Sequence, residues 1–310
     1  MRALVTGSLG FAGTHLCQHL AEMGDDVIGV DRDDADLTDP SATERVVAAH
    51  HPEVVYHLAG AADVGSSWRD PIGTWEANAT ATLHVLEAAR SHGVRRVLVV
   101  SSADVYGIVD AADLPLTEET EARPTSPYAA SKLAAEQLAR QAWLGHGLET
   151  IRVRAFNHIG PGQRPDFVAP AIAIAIAQNE RTGAGDVPIG DLSPRRDFTD
   201  VRDVVRAYRL LMDQGEPGDV YCVCSGQDLA IQDLADTLVS MAEAPMRLQT
   251  DADRLRPVDI PVLRGSSDKL RRTTGWEPRH TIADTLADLM AESRLRVHAD
   301  IATQETRRTT

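Results

Sequence analysis

Three side chains in the middle of the sequence have the types and the spacing that acid–base chemistry requires. Tyr128 and Lys132 stand four residues apart in a segment that predicts a helix, so both lie on one helix face. An ammonium beside a phenol favours the tyrosinate, and we expect Lys132 to lower the pKa of Tyr128 towards working pH. Pro127 predicts the start of this helix, where the helix dipole also favours negative charge. Ser102 supplies a hydroxyl directly after an apolar strand.

The first thirteen residues, MRALVTGSLGFAG, predict a binding site for a pyrophosphate. A short apolar run precedes Gly7, Gly10 and Gly13, and a helix-forming segment, a second β-rich run and Asp31 follow. Glycines let the backbone approach a pyrophosphate, helix amides bind it, and the distal acid accepts hydrogen bonds from a ribose. The order of these features favours a dinucleotide site over a βα turn without a ligand.

Alternating strands and helices position these groups. Strands are predicted at Ala3–Val5, Val27–Val30, Val54–Leu58, Val97–Val100 and Ile151–Arg154. Helices are predicted at Thr14–Met23, Ala42–Ala49, Thr74–His92 and Tyr128–Gly145. This alternation is typical of an α/β fold with a Rossmann-type doubly wound parallel sheet, whose ligands bind beyond the carboxyl ends of the strands.

The alternation ends at Asn157. Asn157–Pro165 and Gly183–Phe198 are rich in Gly, Pro and Arg and predict loops. Further helices are predicted at Val168–Asn179, Val201–Gln214, Ile231–Glu243 and Ile282–Leu295, with a strand at Val220–Val223. We expect a dinucleotide-binding domain over residues 1–156, with returning segments within about 195–225, and a smaller, partly helical, interleaved substrate lobe over 157–295. The polar segment 296–310 predicts a frayed tail.

Composition excludes several classes of protein. The net charge of −15 disfavours a nucleic-acid partner, which requires clustered Lys and Arg. No apolar run is long enough to span a membrane, and the N-terminus enters a strand at once, without room for a signal peptide. The three cysteines predict no disulfide framework, and no His or Cys has metal-ligand spacing. We therefore expect a cytoplasmic protein without a metal.

Taken together, the motifs resemble the extended short-chain dehydrogenases/reductases over essentially the whole chain to about residue 295. They are Thr6-Gly7-x-x-Gly10-Phe11-x-Gly13, Asp31, Asp36-Leu37, Leu58-Ala59, Asn78, Ser102…Tyr106-Gly107 and Tyr128-x-x-x-Lys132. Such proteins act on nucleotide sugars. The resemblance implies that Ser102 hydrogen-bonds the substrate oxygen, Tyr128 exchanges its proton and Lys132 holds the nicotinamide ribose. It places Asp36 and Leu37 against the adenine, and it implies that Asn78 supports the sheet and the cofactor region. The expected cofactor contacts are Gly7, Gly10, Phe11, Gly13, Asp31, Arg32, Asp36, Leu37, Leu58, Ala59, Tyr128 and Lys132.

The second half of the chain contains segments that look like nucleotide-sugar contacts of this family. They are Arg154–Gln163, Arg195–Asp203 and Arg256–Pro261. Arginine suits a diphosphate because its planar fork binds two oxygens at once. The expected substrate contacts are Ser67, Asn157, Arg196, Arg256 and Asp259, whereas Arg195 is expected on the solvated surface.

Within the family, Asn157–Gln163, Ser67–Pro71 and Arg195–Phe198 resemble the GDP-4-dehydro-6-deoxy-D-mannose reductases. This implies NAD(P)H-dependent reduction of the C4 keto group of a GDP-4-keto-6-deoxy-hexose, of the GDP-D-rhamnose type. Tyr128 would protonate the alkoxide and Ser102 would polarise the carbonyl. The guanine base and the stereochemistry rest on resemblance alone. A homodimer through the helices at about Thr74–His92 and Tyr128–Leu144 is also implied.

Other activities of the same fold stay open. A nucleotide-sugar 4,6-dehydratase needs an additional acid or base; Asp104 could act as a base, but Ala103 cannot act as an acid. A 4-epimerase requires only the Ser, Tyr and Lys, and a non-catalytic NAD(P)-binding regulator requires none of them. For the cofactor, Asp31 repels a 2′-phosphate whereas Arg32 could accept one, so we expect NADH, with NADPH as an alternative.

Overall fold

A six-stranded parallel sheet forms the centre of the structure, a computed structural model that describes residues 1–251 and 260–308. The strands in the described residues are β1 (Arg2–Thr6), β2 (Asp26–Val30), β3 (Val54–His57), β4 (Arg96–Ser102), β5 (Glu149–Ala155), β6 (Asn157–Ile159), β7 (Asp186–Ile189), β8 (Arg195–Asp200), β9 (Val220–Val223), β10 (Asp228–Ala230), β11 (Arg247–Thr250) and β12 (Val262–Leu263). The main sheet has the order β2-β1-β3-β4-β5-β9. The chain leaves β1 towards β2 and then returns to the other side of β1 as β3, so a crevice opens between the carboxyl ends of β1 and β3.

Helices cover both faces of this sheet, and others pack in a smaller lobe. The α-helices in the described residues are α1 (Phe11–Glu22), α2 (Pro40–His50), α3 (Val64–Ser67), α4 (Pro71–Trp75), α5 (Ala81–Ser91), α6 (Pro127–His146), α7 (Val168–Thr182), α8 (Val201–Gln214), α9 (Ile231–Ser240), α10 (Asp268–Thr274) and α11 (Ile282–Arg308). One apolar core joins the sheet to α1 and α8, and a second joins it to α2, α5 and α6. The predicted fold class, a doubly wound α/β sheet, is confirmed.

The helix that carries the predicted acid–base pair shows how local sequence sets an element's ends. Ser126 accepts a hydrogen bond from the Ala129 amide (3.1 Å), and Pro127 fills the first helical position. Gly147 ends α6 in the left-handed region, with φ of 71°. Residues 128–132 therefore start a twenty-residue helix at a defined point beside the carboxyl end of β4.

Two segments predicted as loops contain short strands. β6 pairs with β8. β7 pairs with β11, and the paired residues of these two strands are about 60 positions apart in the chain. Local composition carries no sign of such long-range pairing, which is why Gly183–Phe198 looked like a loop. A third apolar core packs around α7, α9 and α11, while α8 and β9 return to the main sheet.

The last helix extends beyond the predicted end of the substrate lobe. α11 continues to Arg308, into the segment 296–310 for which the sequence predicts a frayed tail. Residues 296–308 contain no Gly or Pro, so nothing in their composition interrupts a helix that has already formed. No helix in the described ranges is long and apolar enough to cross a membrane.

Candidate active site

A cavity of about 1260 Å³ lies over the carboxyl ends of β1, β3, β4 and β5. This volume exceeds the range typical of a site for one small ligand, so it suits a dinucleotide together with a substrate. The structure brings most of the predicted site residues to its wall: Gly7, Gly10, Phe11, Gly13, Asp31, Arg32, Asp36, Leu37, Leu58, Ala59, Ser102, Asp104, Tyr128, Lys132, Asn157 and Arg196. Arg256 and Asp259 lie outside the described residues.

The three glycines of the first turn have different physical roles. Gly7 has φ of 71°, and a Cβ there would lie 2.8 Å from the Ala59 nitrogen. A Cβ on Gly13 would lie only 2.0 Å from the Gly7 carbonyl oxygen, so this glycine lets α1 pack on the turn. A Cβ on Gly10 would meet only the Gly7 oxygen, at 3.1 Å. Gly10 caps α1 at the cavity wall, where the first amides of the helix can bind a pyrophosphate.

The end of β2 supplies the acid expected at a ribose. Asp31 follows β2 directly, and its carboxylate accepts hydrogen bonds from the amides of Leu9 (3.0 Å) and Arg32 (2.8 Å). Its position is therefore fixed from both the glycine turn and its own loop. Asp36 accepts hydrogen bonds from the amide and the hydroxyl of Thr38 at the same end of the cavity.

The hydroxyls of Ser102 and Tyr128 meet at the carboxyl end of β4. Ser102 Oγ donates to Asp104 Oδ2 (2.9 Å) and accepts from the Asp104 amide (3.1 Å). Tyr128, only 8% exposed, lies within hydrogen-bonding reach of Ser102. Asp104 is thus part of the site, whereas Ala103 is a buried residue without an ionisable side chain.

The pKa of Tyr128 differs from the sequence-based expectation. Burial raises this pKa, the Asp104 carboxylate raises it further, and the hydrogen bond with Ser102 opposes them only in part. The expected lowering by Lys132 is wrong for the structure as it stands, because desolvation penalises the phenolate more than any neighbour stabilises it. Tyr128 is therefore held as a protonated phenol, which is a proton donor.

Lys132 lies beside the sheet, and its ammonium group is hydrogen-bonded to a strand carbonyl. Its Nζ donates to the Val100 carbonyl (3.0 Å), and burial lowers its pKa to about 8. At neutral pH most molecules carry the positive charge. A Cβ on Gly60 would lie 3.5 Å from this Nζ, so the backbone after β3 approaches the lysine closely.

A π-helical turn, which the sequence did not reveal, supports this region. The predicted helix Thr74–His92 is interrupted at Glu76–Thr80, between α4 and α5. Asn78 in this turn donates to Ser131 Oγ (2.9 Å), and its buried Oδ1 has no hydrogen-bond partner among the described residues. Extra turns of this kind are frequent at functional sites. Periodicity could not have found this turn, because one added residue barely changes an apolar pattern.

A buried histidine connects the turn to the sheet. The His57 ring hydrogen-bonds Thr6 Oγ1 through Nδ1 (2.8 Å) and Thr82 Oγ1 through Nε2 (3.0 Å). Thr82 Oγ1 in turn donates to the Asn78 carbonyl (2.5 Å). Burial lowers the pKa of His57 to about 3, with a smaller effect of the Lys132 charge, so the ring is neutral. These bonds link β1, β3 and the π-helical turn.

The substrate side of the cavity holds Asn157 and Arg196. Asn157 is exposed at the start of β6, and Arg196 Nη1 donates to the Arg195 carbonyl (2.8 Å) on β8. Arg195 pairs with Asp228 on the surface, as expected. The predicted substrate contact at Ser67 is corrected by the structure. Ser67 is fully buried, and its Oγ donates to the Val64 carbonyl (2.7 Å). Its neighbour Ser66 lines the cavity instead.

Arg154 is likewise a structural residue. Its guanidinium forms two hydrogen bonds with Glu136 (3.0 and 2.8 Å) and a third with Tyr106 Oη (3.0 Å), all in the interior. Its neighbours in the sequence had suggested a nucleotide-sugar contact. The buried carboxylate of α6, which only the tertiary structure places opposite β5, explains why the arginine turns inward.

Comparisons with known proteins identify the family of the chain. A profile described as the NAD dependent epimerase/dehydratase family matches residues 3–224. The chain is 39% identical over 301 residues to GDP-6-deoxy-D-mannose reductase of Pseudomonas aeruginosa, which covers 95% of this chain and 98% of that protein. The structure of RMD from Pseudomonas aeruginosa complexed with NADPH superposes with a TM-score of 0.88 at 36% identity, covering 96% of this chain and all of that one. UDP-glucose 4-epimerase of Thermus thermophilus in complex with NAD gives 0.86 at 28% identity, covering 95% and 99%.

Proposed function

The chain belongs to the NAD dependent epimerase/dehydratase family, and we propose that it is an NAD(P)H-dependent reductase of a nucleotide sugar. Its substrate is a GDP-4-keto-6-deoxy-hexose, whose C4 keto group it reduces to give a GDP-6-deoxy-hexose of the GDP-D-rhamnose type. The observation that carries this proposal is the grouping of Ser102, Tyr128 and Lys132 on the cavity wall, with Ala103 at the position where a dehydratase would need a further acid. The similarity to GDP-6-deoxy-D-mannose reductase over nearly the whole of both chains supports the substrate.

The residues of the site divide the work of the reduction. A bound nicotinamide dinucleotide supplies the hydride. The Ser102 hydroxyl hydrogen-bonds the carbonyl oxygen, which stabilises the charge that develops there. Tyr128 Oη gives its proton to the alkoxide, and the nearby Asp104 carboxylate disfavours a lasting phenolate, so the phenol is readily restored. Lys132 contributes a positive charge beside the cofactor site, held by the Val100 carbonyl.

The cradle for the dinucleotide fits on geometric grounds. Gly10 leaves space at the start of α1, Asp31 is fixed at the end of β2, and Leu58 and Ala59 line the crevice beyond β3. The orphaned Asn78 Oδ1 offers a buried acceptor on the Lys132 side. Each group lies where a doubly wound sheet binds a dinucleotide.

The nearest alternative, a 4,6-dehydratase, needs one more acid–base group than the structure offers at the expected place. Ala103 is buried and neutral, and Asp104 is already hydrogen-bonded to Ser102. These observations favour reduction of a keto group that is already present.

Two incubations distinguish the activities. The protein with GDP-4-keto-6-deoxymannose and NADH should oxidise NADH and form a GDP-6-deoxy sugar. The protein with GDP-mannose alone should form no keto sugar. A 4-keto product from GDP-mannose without added reductant would instead establish the dehydratase and overturn the proposal, and conversion of UDP-glucose to UDP-galactose would establish the epimerase.

We further propose that NADH is the preferred cofactor. The Asp31 carboxylate, with Asp33 and Asp34 beside it, gives the ribose end a negative charge that the single exposed Arg32 offsets only in part. A 2′-phosphate placed there would meet like charges. Titration should give a Kd for NADH at least tenfold below that for NADPH, and Asp31→Ala should narrow this ratio. Equal or tighter binding of NADPH by the wild type would contradict the preference.

A homodimer is proposed on the apolar surface of the α4–α5 and α6 region. Ile72, Trp75 and Leu83 are exposed on α4 and α5, and Leu144 is exposed on α6, which packs against both helices. Exposed apolar side chains on adjoining helices are typical of interfaces. Light scattering should give twice the chain mass, and Ile72→Glu should reduce it to the monomer. A monomeric wild type would refute the dimer.

A cytoplasmic location is proposed from the three free thiols.

A further inference from the structure

The phenol of Tyr208 is buried without a hydrogen-bond partner and yet borders the cavity. Tyr208 lies on α8, is fully buried, and its Oη has no partner among the described residues. A buried hydroxyl without a hydrogen-bond partner destabilises a folded protein, so such a group calls for an explanation. Tyr208 also lines the cavity, unlike most of the core residues around it.

Tyr208 shares both its apolar core and the cavity wall with residues at the reactive end of the cavity. Val100 and Ala155, at the carboxyl ends of β4 and β5, belong to the same apolar core and line the same cavity. Val100 is the residue whose carbonyl accepts from Lys132. Tyr208 is close enough to Tyr128 for a phenolate at Tyr128 to raise the Tyr208 pKa, in addition to the effect of burial.

The opposite end of the cavity is well separated from this point. Asp31 follows β2, and β4 lies three strands away from β2 in the sheet. At the usual strand spacing this separates the two ends by about 14 Å. A dinucleotide whose adenine ribose meets Asp31 therefore extends its nicotinamide half towards Tyr208.

Burial alone does not account for the orphaned hydroxyl. Tyr56 has a buried Oη that also lacks a partner among the described residues, and it belongs to the same apolar core. Tyr56 does not line the cavity, and the charged groups near it are Arg209 and Asp25. The two tyrosines thus differ in one respect that matters here: Tyr208 belongs to the cavity wall, whereas Tyr56 does not.

We propose that Tyr208 is a further cofactor-binding residue, whose hydroxyl hydrogen-bonds the nicotinamide half of the dinucleotide. The proposal rests on the proposed function, since it takes the cavity to be the dinucleotide site. It explains the orphaned oxygen as a group that finds its partner only when the ligand binds. It also assigns α8, which follows the substrate-side strand β8 in the chain, a direct contact with the cofactor.

The test compares two ligands on two matched variants of the full chain. Tyr208→Phe and Tyr56→Phe each remove one orphaned hydroxyl and keep the ring. Calorimetric titration with NADH measures the whole cofactor, and titration with ADP-ribose measures the part without nicotinamide. Tyr208→Phe should raise the Kd for NADH about threefold to tenfold, the effect of one net hydrogen bond, and leave the Kd for ADP-ribose unchanged. Tyr56→Phe should change neither.

Each other result overturns the proposal in a recognisable way. An unchanged Kd for NADH in Tyr208→Phe would show that the hydroxyl does not contact the cofactor. An equal weakening or a loss of both ligands would assign the hydroxyl to the fold of α8. If the wild type itself bound neither NADH nor NADPH, the proposed function would fail, and this inference with it.

Discussion

Replacement of Tyr128 by Phe tests the proposed chemistry directly, because the structure allows the hydroxyl to be removed with little else disturbed. The ring is buried and Phe fills the same space. Ser102 keeps Asp104 as its hydrogen-bond partner at 2.9 Å, so no buried group is orphaned. The free energy of unfolding should therefore change by no more than about 1 kcal/mol, and the Kd for NADH should stay within about threefold of the wild type.

The loss of turnover should be large. Proton transfer by a positioned side chain contributes roughly 10²- to 10⁴-fold to a rate, which corresponds to about 2.7–5.4 kcal/mol of transition-state stabilisation. The assay follows NADH consumption with saturating GDP-4-keto-6-deoxymannose and compares kcat of the variant with that of the wild type. A kcat within tenfold of the wild type, in a variant that still binds NADH, would refute the role of Tyr128 as the proton donor.

Tyr106→Phe is the matched control, since Tyr106 is a buried tyrosine of the same region with a structural role. Its Oη donates to the Thr117 carbonyl (2.7 Å) and accepts from Arg154 (3.0 Å). Its removal should lower the free energy of unfolding by about 1–3 kcal/mol and change kcat by less than tenfold. The two variants should thus separate catalysis from stability.

Three further outcomes are expected. Because the ammonium of Lys132 is the useful form and its pKa is lowered to about 8, kcat/KM should fall as pH rises through about 8, and Lys132→Arg should move this fall to higher pH; a flat profile well above pH 8 would contradict the assignment. Gly13→Ala places a Cβ 2.0 Å from the Gly7 oxygen, so urea denaturation should show a loss of about 1–3 kcal/mol, and wild-type stability would refute the packing role. Glu136→Gln leaves Arg154 buried without its carboxylate and should cost about 3–5 kcal/mol in the same assay, whereas a cost below 1 kcal/mol would show that the pair is dispensable.

The fold and much of the site could be predicted because their signals are local. The glycine spacing, the four-residue step from Tyr128 to Lys132 and the alternation of apolar segments all lie within short windows of the chain. Sixteen residues predicted from these short windows line one cavity in the structure. They meet there because the carboxyl ends of parallel strands share one edge of a sheet. The strands β6, β7 and β8 were missed because their partners are distant in sequence.

Side-chain direction and burial were less accessible to sequence reasoning. Ser67 belongs to a segment that resembles a substrate contact, yet α3 turns it inward. Arg154 was predicted, with its neighbours in the sequence, to belong to a nucleotide-sugar contact. In the structure, Glu136 on α6 holds its guanidinium in the interior. The Tyr128 pKa moves opposite to expectation because desolvation, a sum over everything packed around the phenol, outweighs the single charge four residues away.

The amino-acid sequence by itself determined the dinucleotide turn, the Ser, Tyr and Lys of the site and the parallel doubly wound sheet, because each depends on residue types at short, regular spacing. The tertiary structure alone decided that Tyr128 is held protonated, that His57 ties the π-helical turn to the sheet, and that Tyr208 borders the cavity with its hydroxyl unpaired. These properties arise from burial and from contacts between elements far apart in the chain. The free energy of such contacts depends on three-dimensional surroundings that no short stretch of sequence contains.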